Sequence, residues 1–394
     1  MKEFNKSSKL EHVAYDIRGP VLDEAMRMRA NGEKILRLNT GNPAEFGFTA
    51  PDEVIHDLIM NARDSEGYSD SKGIFSARKA IMQYCQLRNF PNVDIDDIYL
   101  GNGVSELIVM SMQGLLDDGD EVLVPMPDYP LWTAAVSLAG GNAVHYVCDE
   151  QAEWYPDIDD IKSKITSNTK AIIIINPNNP TGAIYSRETL EKIAEVLKEA
   201  EKEYGHPIYI ITDEPYRELV YVDKEIVFIP DLYDNTIIAY SWSKSLSIPG
   251  DRLGYLAVSP KSDNVEEFMA AATVANRISG DTNAPSIIQL AVERCLDAQV
   301  DIPYYKKNAE DLYKIVTDAG FTAVVPQGAF YLWVKSPVAD EKELVAAAKE
   351  ERILAVPGSA FACPGYIRLS FCISNETIQR SAESFAKLGK KYFG

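Results

Sequence analysis

The segment TIIAYSWSKSLSIPGDRLGY, residues 236 to 255, says more about this chain than any other. Its first half is a short run of β-branched and apolar residues, typical of a strand that is buried on both faces. Lys244 follows this strand directly, between two serines, and Arg252 lies eight residues further on. A single lysine after a strand is usually a surface residue. Whether Lys244 has a catalytic role must therefore be judged from the residues that follow the other predicted strands.

Two further apolar runs also end in polar residues. AIIIINPNNPTG (171–182) leads four isoleucines into a loop with Asn179, and IYIITDEPY (208–216) ends with Asp213 and Tyr216. Apolar strands alternating with helical stretches predict an α/β fold with a mainly parallel sheet flanked by helices. Because ligands bind beyond the carboxyl ends of the strands in such sheets, we expect the side chains at all three strand ends to meet at one edge.

The residues at the strand ends suit one cofactor, pyridoxal phosphate. A lysine forms a Schiff base with an aldehyde when its pKa is lowered, and a nearby cation such as Arg252 lowers it. Arg252 and the hydroxyls of Ser241 and Ser243 can also hold a phosphate. A carboxylate such as Asp213 keeps a pyridine nitrogen protonated. Once released from the Schiff base, Lys244 can move a proton as a general acid and base.

A second group of residues suits the same cofactor. GNGVSELIV reads as a glycine turn followed by a helix, so the amides of Gly103, Val104 and Ser105 can face a phosphate at the positive end of that helix. Tyr129 follows another short apolar strand and can stack on the pyridine ring. A tyrosine packed in a proline-rich turn is an equally good explanation of Tyr129 alone.

The other residues also have ordinary structural explanations. Asp213 can cap a helix, Tyr216 can belong to the core, and the loop around Asn179 is rich in turn residues. Tyr216 and Asn179 nevertheless suit the oxygen at position 3 of the pyridine ring, where a phenol and an amide can fix the ring angle. A pyridoxal phosphate site is favoured over these separate explanations only if all of these residues lie close together in the fold.

The joint occurrence of NPNNPTG, DEPY and SWSKS with PGDRLGY resembles the pyridoxal phosphate-dependent aminotransferases of fold type I, class I/II. The resemblance extends from about Tyr15 to the C-terminus, and the first half is most similar to bacterial alanine (glutamate–pyruvate) aminotransferases. It implies a large domain with a mainly parallel sheet, a smaller α+β domain, and a ping-pong transfer of an amino group from an amino acid to a 2-oxo acid.

The resemblance also implies a role for individual residues. Arg368 would clamp the substrate α-carboxylate, the backbone of Gly41 would lie over the substrate, and Tyr68 would reach the phosphate of a neighbouring subunit in a homodimer. The catalytic residues would be Lys244, Asp213 and Tyr216, and the cofactor contacts Gly103, Val104, Ser105, Tyr129, Asn179, Asp213, Tyr216, Ser241, Ser243, Lys244, Arg252 and Tyr68, with Asn179 also near the substrate.

The substrate specificity is less well marked. The segment PGDRLGY is more similar to aspartate- or aromatic-type relatives, so such an enzyme is the alternative to one acting on alanine or glutamate. A pocket for a second carboxylate needs a second cation. The candidates are Arg18, Lys72 and Arg277, although such residues are more often solvated at the surface.

Other classes of protein remain as alternatives. A pyridoxal phosphate-dependent C–S β-lyase shares the cofactor residues but directs the substrate carbanion differently. A silent regulatory module is normally fused to a DNA-binding domain, which we do not expect before Tyr15. A nucleotide-binding α/β protein would leave Lys244, Asp213 and Arg252 without an explanation.

The composition restricts the partners and the compartment. The chain of 394 residues has 59 acidic and 39 basic residues, a formal net charge of −20, which argues against nucleic acid or an anionic membrane as a partner. No apolar run has the length of a membrane span or a signal segment, so we expect a cytoplasmic enzyme for small molecules. The five cysteines and four histidines lack metal-ligand spacing, so we expect reduced thiols and no metal.

The order of apolar runs predicts two domains of unequal size. Residues 46–285 alternate strands and helices and form the large cofactor domain. Residues 286–394 have a compact α+β pattern and form the small domain, with residues 1–45 as an N-terminal arm that packs on it. We expect the active site in the cleft between the two domains.

Overall fold

The computed structural model describes residues 7, 10, 13, 19–32, 34–88, 90 and 92–394. The strands are β1 (Leu36–Arg37), β2 (Ile98–Gly101), β3 (Glu121–Met126), β4 (Asn142–Asp149), β5 (Tyr155–Pro156), β6 (Thr169–Ile175), β7 (Tyr209–Asp213), β8 (Thr236–Ser241), β9 (Gly254–Val258), β10 (Tyr331–Lys335), β11 (Ile353–Leu354), β12 (Val356–Pro357) and β13 (Tyr366–Ser370). The helices are α1 (Gly19–Ala30), α2 (Asp52–Met60), α3 (Phe75–Leu87), α4 (Val104–Leu115), α5 (Leu131–Leu138), α6 (Ile158–Lys164), α7 (Arg187–Tyr204), α8 (Trp242–Ser245), α9 (Val265–Ser279), α10 (Ser286–Val292), α11 (Ile302–Asp318), α12 (Glu341–Glu350) and α13 (Asn375–Phe393).

The central sheet has the strand order β2-β9-β8-β7-β6-β3-β4-β5. Strands β4, β3, β6, β7 and β8 are parallel to one another. Strand β9 is antiparallel to β8 and to β2, and β5 is antiparallel to β4. The predicted α/β fold with a mainly parallel sheet is therefore confirmed.

Strand β6 illustrates why the apolar runs form the middle of this sheet. Successive side chains of a strand point to opposite faces, and both faces are covered here. Ile173 belongs to a buried cluster that includes residues of α4, α5 and α9, whereas Ile172 belongs to a second cluster that includes residues of α6 and α7. Both isoleucines are fully buried, so a continuous run of apolar residues is what this position requires.

Helix α7 shows how the covering helices are delimited. Its buried residues recur at helical spacing, at positions 190, 193, 194 and 197. The Ser186 side chain accepts a hydrogen bond from the Thr189 amide at the N-terminus, and Gly205 ends the helix with a φ of 77°. Among the helices of the described residues, none is both long and apolar enough to span a membrane.

A smaller antiparallel sheet, with the order β10-β13-β12, lies in the C-terminal part of the chain. Helices α11 and α13 pack against each other beside it. Strand β1 pairs in parallel with β11, and the Ser370 amide donates to the Leu38 carbonyl at 2.6 Å. These contacts attach residues 36–38 to the C-terminal part, while the division of the chain at residues 45 and 285 stays a prediction.

The carboxyl ends of the parallel strands lie side by side. In the register of the sheet, Ile175 is opposite Asp213, and Asp213 is opposite Ala239. Two residues beyond Ala239, Ser241 pairs with Gly254. The loops that leave β6, β7 and β8 therefore start from one edge of the sheet, where ligands of open α/β sheets bind.

Candidate active site

Lys244 lies in the short helix α8, directly after strand β8. The Ser241 side chain caps this helix by accepting a hydrogen bond from the Ser243 amide at 3.2 Å. The Lys244 Nζ donates to the Gly41 carbonyl at 2.8 Å and lies 5.2 Å from the centre of the Phe330 ring. The amine is therefore held in a partly buried position against an aromatic ring, and the structure brings Gly41 to it as well.

Asp213 is buried at the end of β7, where a carboxylate has few partners. Its Oδ2 accepts a hydrogen bond from the Trp132 indole at 3.0 Å, whereas its buried Oδ1 has no hydrogen-bond partner among the described residues. Burial raises the pKa of Asp213 to about 7, although the bond from Trp132 lowers it, and the charge of Glu214 adds to the increase. The carboxyl group thus has an unused acceptor that suits a protonated ring nitrogen.

Tyr216 is buried three residues after Asp213. Its hydroxyl shares a hydrogen bond of 3.3 Å with the Tyr331 hydroxyl, and its ring meets the Phe330 ring edge to face. Burial is the main cause of a pKa far above the usual value for Tyr216, and the nearby Tyr129 hydroxyl contributes to the increase. Tyr129 therefore lies close enough to Tyr216 to interact with it electrostatically.

Arg368 and Asn179 form a direct contact between the small sheet and the loop after β6. The Arg368 Nη1 donates to the Asn179 Oδ1 at 3.0 Å, and both residues are buried. The guanidinium group lies 4.0 Å from the centre of the Tyr331 ring and 4.6 Å from that of Phe361. No described residue forms a hydrogen bond with its buried Nε, so a donor is still available for the planar, bidentate pairing that arginine makes with a carboxylate.

Arg252 and Gly103 are in close contact at the neighbouring end of the sheet. The Arg252 guanidinium donates to the Asn102 and Pro249 carbonyls, each at 2.9 Å. Gly103 has a φ of 74°, and a Cβ atom there would lie only 2.8 Å from the Arg252 Nη2. Only glycine fits this position without strain, which brings the cation next to the start of helix α4.

Backbone amides and hydroxyls complete this corner of the site. Val104 and Ser105 are the first two residues of α4, so their amides have no acceptor within the helix. Ser241 and Ser243 share a hydrogen bond of 2.8 Å between their hydroxyls. The amides, the hydroxyls and the guanidinium group of Arg252 together offer the set of donors that a phosphate dianion requires.

Four other residues that the sequence predicts are at the surface, have partners of their own or lie outside the described residues. Tyr68 is at the surface of the chain, with 92% of its area exposed. Lys72 lies 4.0 Å from Asp96, and the Arg277 Nε donates to Ser71 at 2.9 Å. Arg18, the remaining candidate for a second cation, lies outside the described residues.

Sequence reasoning missed three aromatic residues of the site. Trp132 follows Tyr129 by three residues and is the second residue of α5, so its spacing was an available signal. Phe330 and Tyr331 lie about 90 residues beyond Lys244, in a run that reads as an ordinary apolar strand. A Cβ on Gly41 would overlap the Tyr331 hydroxyl, which explains why a glycine occupies position 41.

The assembled residues fit pyridoxal phosphate. The cluster contains a partly buried amine at Lys244, an unused buried acceptor at Asp213, the aromatic residue Tyr129 close to Tyr216 and a set of phosphate donors around Arg252. These four elements correspond to the aldehyde, the ring nitrogen, the ring face and the phosphate of that cofactor.

Comparison with known proteins agrees with this chemistry. The family described as aminotransferase class I and II matches residues 33–385. The glutamate–pyruvate aminotransferase AlaA of Haemophilus influenzae is 44% identical over 92% of this chain and 91% of its own length. The alanine aminotransferase of Mycobacterium tuberculosis is 40% identical over 93% and 88%, respectively.

Solved structures give the same result. A crystal structure of an aminotransferase from Escherichia coli superposes with a TM-score of 0.92, at 41% identity and over 100% of both chains. An aspartate aminotransferase from Thermotoga maritima superposes with a TM-score of 0.87 at 28% identity, over 97% of this chain and 99% of its own. The chain belongs to the class I and II aminotransferases, enzymes that use pyridoxal phosphate to move an amino group between an amino acid and a 2-oxo acid.

Proposed function

We propose that this aminotransferase exchanges the amino group of alanine or glutamate with a 2-oxo acid such as pyruvate. The names of the relatives at 40–44% identity support these substrates. The observation that carries the chemistry is the buried Oδ1 of Asp213, for which the described part of the chain provides no hydrogen-bond partner. This oxygen belongs to the same proposed site as the amine of Lys244. The ping-pong order would follow because a single cofactor would have to receive the amino group from the amino acid before it could transfer that group to the 2-oxo acid.

Lys244 is the proposed attachment point of the cofactor and the proposed proton carrier. When it is bound, pyridoxal phosphate supplies an electron sink for the substrate carbanion. The amine of Lys244, once released from the cofactor, would take the proton from the substrate Cα and return it to the carbon of the cofactor that carries the amino group. Its partner, the Gly41 carbonyl at 2.8 Å, orients the amine by accepting one of its hydrogens.

The remaining site residues hold the cofactor in place. Asp213 would keep the ring nitrogen protonated, and Trp132 holds that carboxylate in its orientation. The proposed contacts of the 3-oxygen are Tyr216 and Asn179, and the proposed stacking residue is Tyr129. The proposed phosphate contacts within the chain are Gly103, Val104, Ser105, Ser241, Ser243 and Arg252.

Arg368 is the proposed clamp for the substrate α-carboxylate. Its position over the Tyr331 ring and its contact with Asn179 fix the plane of the guanidinium group. A fixed guanidinium fork pairs with a carboxylate in one orientation, so the Cα–H bond of the substrate would be presented to Lys244. Gly41 would leave room for the substrate backbone beside the Tyr331 hydroxyl.

A direct test adds single amino acids to the purified, cofactor-loaded enzyme and follows its visible absorption. Alanine or glutamate should remove this absorption, and a 2-oxo acid should restore it. The Lys244→Ala variant should lack the absorption of the lysine-bound cofactor altogether. Aspartate or an aromatic amino acid as the preferred donor would favour the alternative specificity, and release of pyruvate and ammonia with unchanged absorption would favour a C–S β-lyase.

We also propose that the functional unit is a homodimer in which Tyr68 reaches the phosphate of the neighbouring subunit. Large apolar side chains are exposed both near Tyr68 in the sequence and on α9, and exposed apolar patches are typical of interfaces. The elements that carry them are connected, because Arg277 of α9 bonds to Ser71 and Ser286 of α10 bonds to Gly67. The exposed residues are Ile59, Met60, Tyr68, Phe75, Val274 and Ile278.

The cytoplasm is the proposed location, with the domain arrangement predicted above. All five cysteines lie in the described residues, and none of them is joined in a disulfide. Reduced thiols are typical of proteins in a reducing compartment. The cleft between residues 46–285 and 286–394 is the proposed entrance for the substrate, because Arg368 and Asn179 meet there.

A further inference from the structure

A buried arginine lies directly behind the proposed cofactor site. Arg217 follows Asp213 by four residues, and only 3% of its side chain is exposed. Its Nη1 donates to the Glu214 Oε2 at 2.9 Å, and its Nε lies 3.4 Å from the Glu218 Oε1. A buried charge is costly unless it is paired, so Arg217 and its acidic neighbours stabilise one another in this position.

Aromatic residues enclose the same guanidinium group. The Arg217 Nη2 donates to the Tyr255 hydroxyl at 3.1 Å, and the guanidinium carbon lies 4.3 Å from the centre of the Tyr240 ring. The titratable and charged groups that face Arg217 are Glu214 and Glu218 on its own loop, Tyr240 on β8, Tyr255 on β9, and Tyr84 and Cys85 on α3.

This network lies on the other side of the sheet from the Asp213 carboxylate. Asp213 bonds to Trp132, which belongs to the core cluster packed against α4, α5 and α9. Tyr240 and Tyr255 belong to a different cluster, which includes residues of α3 and α10. Because successive side chains at a strand end point to opposite faces, Asp213 and Glu214 are directed to different sides.

The network joins the two segments that carry the proposed chemistry. On one side, Glu214 is adjacent to Asp213, and its backbone amide donates to the Ala239 carbonyl of β8 at 2.9 Å. On the other side, the Tyr240 hydroxyl shares a hydrogen bond of 2.7 Å with Ser245, the residue after Lys244. Arg217 contacts both Glu214 and Tyr240 and so links the two segments.

The charge of Glu214 also acts on Asp213. It contributes to the raised pKa of the Asp213 carboxyl group, because a negative neighbour favours the protonated form. The cation of Arg217 lies 2.9 Å from this same glutamate. A buried positive charge at that distance compensates much of the field that Glu214 would otherwise exert.

We propose that Arg217 is a positioning residue of the amino-transfer reaction, which orients the Asp213 and Lys244 segments and balances the charge of Glu214 beside them. This inference rests on the proposed function, since it assigns Arg217 to the same site. The summed charge of Arg217, Glu214 and Glu218 is −1 when all three are ionised. Replacing Arg217 by a neutral residue makes this charge one unit more negative, and replacing Glu214 by a neutral residue makes it one unit less negative.

The test is a pH titration of the visible absorption of the lysine-bound cofactor in four variants. Arg217→Met should raise the midpoint by on the order of half a pH unit, because added negative charge favours the protonated form. Glu214→Gln should lower it by a similar amount. The Arg217→Met/Glu214→Gln double variant restores the local charge and should return the midpoint towards that of the wild type, and Arg217→Lys should stay close to it.

A purely structural role gives a different pattern. If Arg217 only filled space, the double variant would be at least as disturbed as either single variant, and the midpoints would not move in opposite directions; either result would overturn the proposal. Thermal unfolding of the cofactor-free variants separates loss of folding from a change in charge. Bleaching of the wild-type enzyme by alanine or glutamate tests the proposed function independently, because the titration of the bound cofactor does not require turnover.

Discussion

Asp213 occupies a site that is costly for a carboxylate without a cationic partner. Burial raises its pKa to about 7 from an ordinary value of 3.8, so the folded cofactor-free protein binds a proton that the unfolded chain releases at lower pH. The resulting stability is fully present below pH 4 and is lost as the pH rises through 7. In the proposed site, a cofactor with a protonated ring nitrogen would remove this penalty by supplying the missing positive charge.

The Asp213→Asn variant tests this account at the level of one residue. Because the amide does not titrate, the cofactor-free variant should be more stable than the cofactor-free wild type at pH 8, by up to roughly 4 kcal/mol at about 1.4 kcal/mol per pKa unit. The difference should disappear near pH 4, and cofactor binding should be weaker in the variant. Denaturant unfolding of both proteins at pH 4 and pH 8 measures the effect, and an equal difference at both values would contradict it.

Other residues of the site depend on contacts that no local pattern reveals. Lys244 and Asp213 each follow an apolar strand, and so do the proposed phosphate contacts Gly103, Val104 and Ser105. Because parallel strands end at one edge of a sheet, this rule alone predicts that these residues lie close together. Tyr331 and Arg217 come to the site through contacts with distant residues, such as the 3.3 Å bond from Tyr331 to Tyr216 and the 3.1 Å bond from Arg217 to Tyr255. Neither has a spacing or composition that distinguishes it from a core tyrosine or a surface arginine.

At the level of elements, the start of helix α4 is the clearest link between sequence and site. GNGVSE predicts a glycine turn before a helix, and the structure has Gly103 as the N-cap residue with α4 beginning at Val104. The contact of Gly103 with Arg252 could not be predicted, since the two residues are separated by about 150 positions and meet only when β2 pairs with β9.

The Gly103→Ala variant should weaken the binding of pyridoxal phosphate by about tenfold or more, since the methyl group would displace Arg252 and strain the backbone. Binding of pyridoxal, which lacks the phosphate, should change much less. Gly205→Ala is a matched control, because Gly205 also has a positive φ, of 77°, but no atom of the described residues lies within 4 Å of a Cβ placed there. Titrations of both ligands decide the question, and an equal loss for both would argue against a phosphate role.

At the level of the whole molecule, the proposed dimer predicts that two inactive or weak variants can complement each other. Lys244→Ala lacks the amine, and Tyr68→Ala lacks the side chain proposed to reach the partner. A hybrid dimer of the two has one site with both residues intact. Co-expression with different tags and purification through both tags should therefore give activity well above that of either variant alone.

In the control hybrid, one chain carries both substitutions and the other chain carries Lys244→Ala alone. A hybrid of Lys244→Ala with the Lys244→Ala/Tyr68→Ala double variant has no intact amine and should be inactive. Activity of the first hybrid that equals only half that of the Tyr68→Ala dimer would mean that Tyr68 acts within its own chain or not at all.

The pairing of β1 with β11 also has a consequence for synthesis on the ribosome. The Gly41 carbonyl that contacts Lys244 follows a strand whose partner, residues 353 and 354, is translated more than 300 codons later. Arg368 emerges later still. A nascent chain should therefore be able to form the parallel sheet before it can bind an amino acid, because the proposed clamp Arg368 and the partner strand of β1 are made almost last.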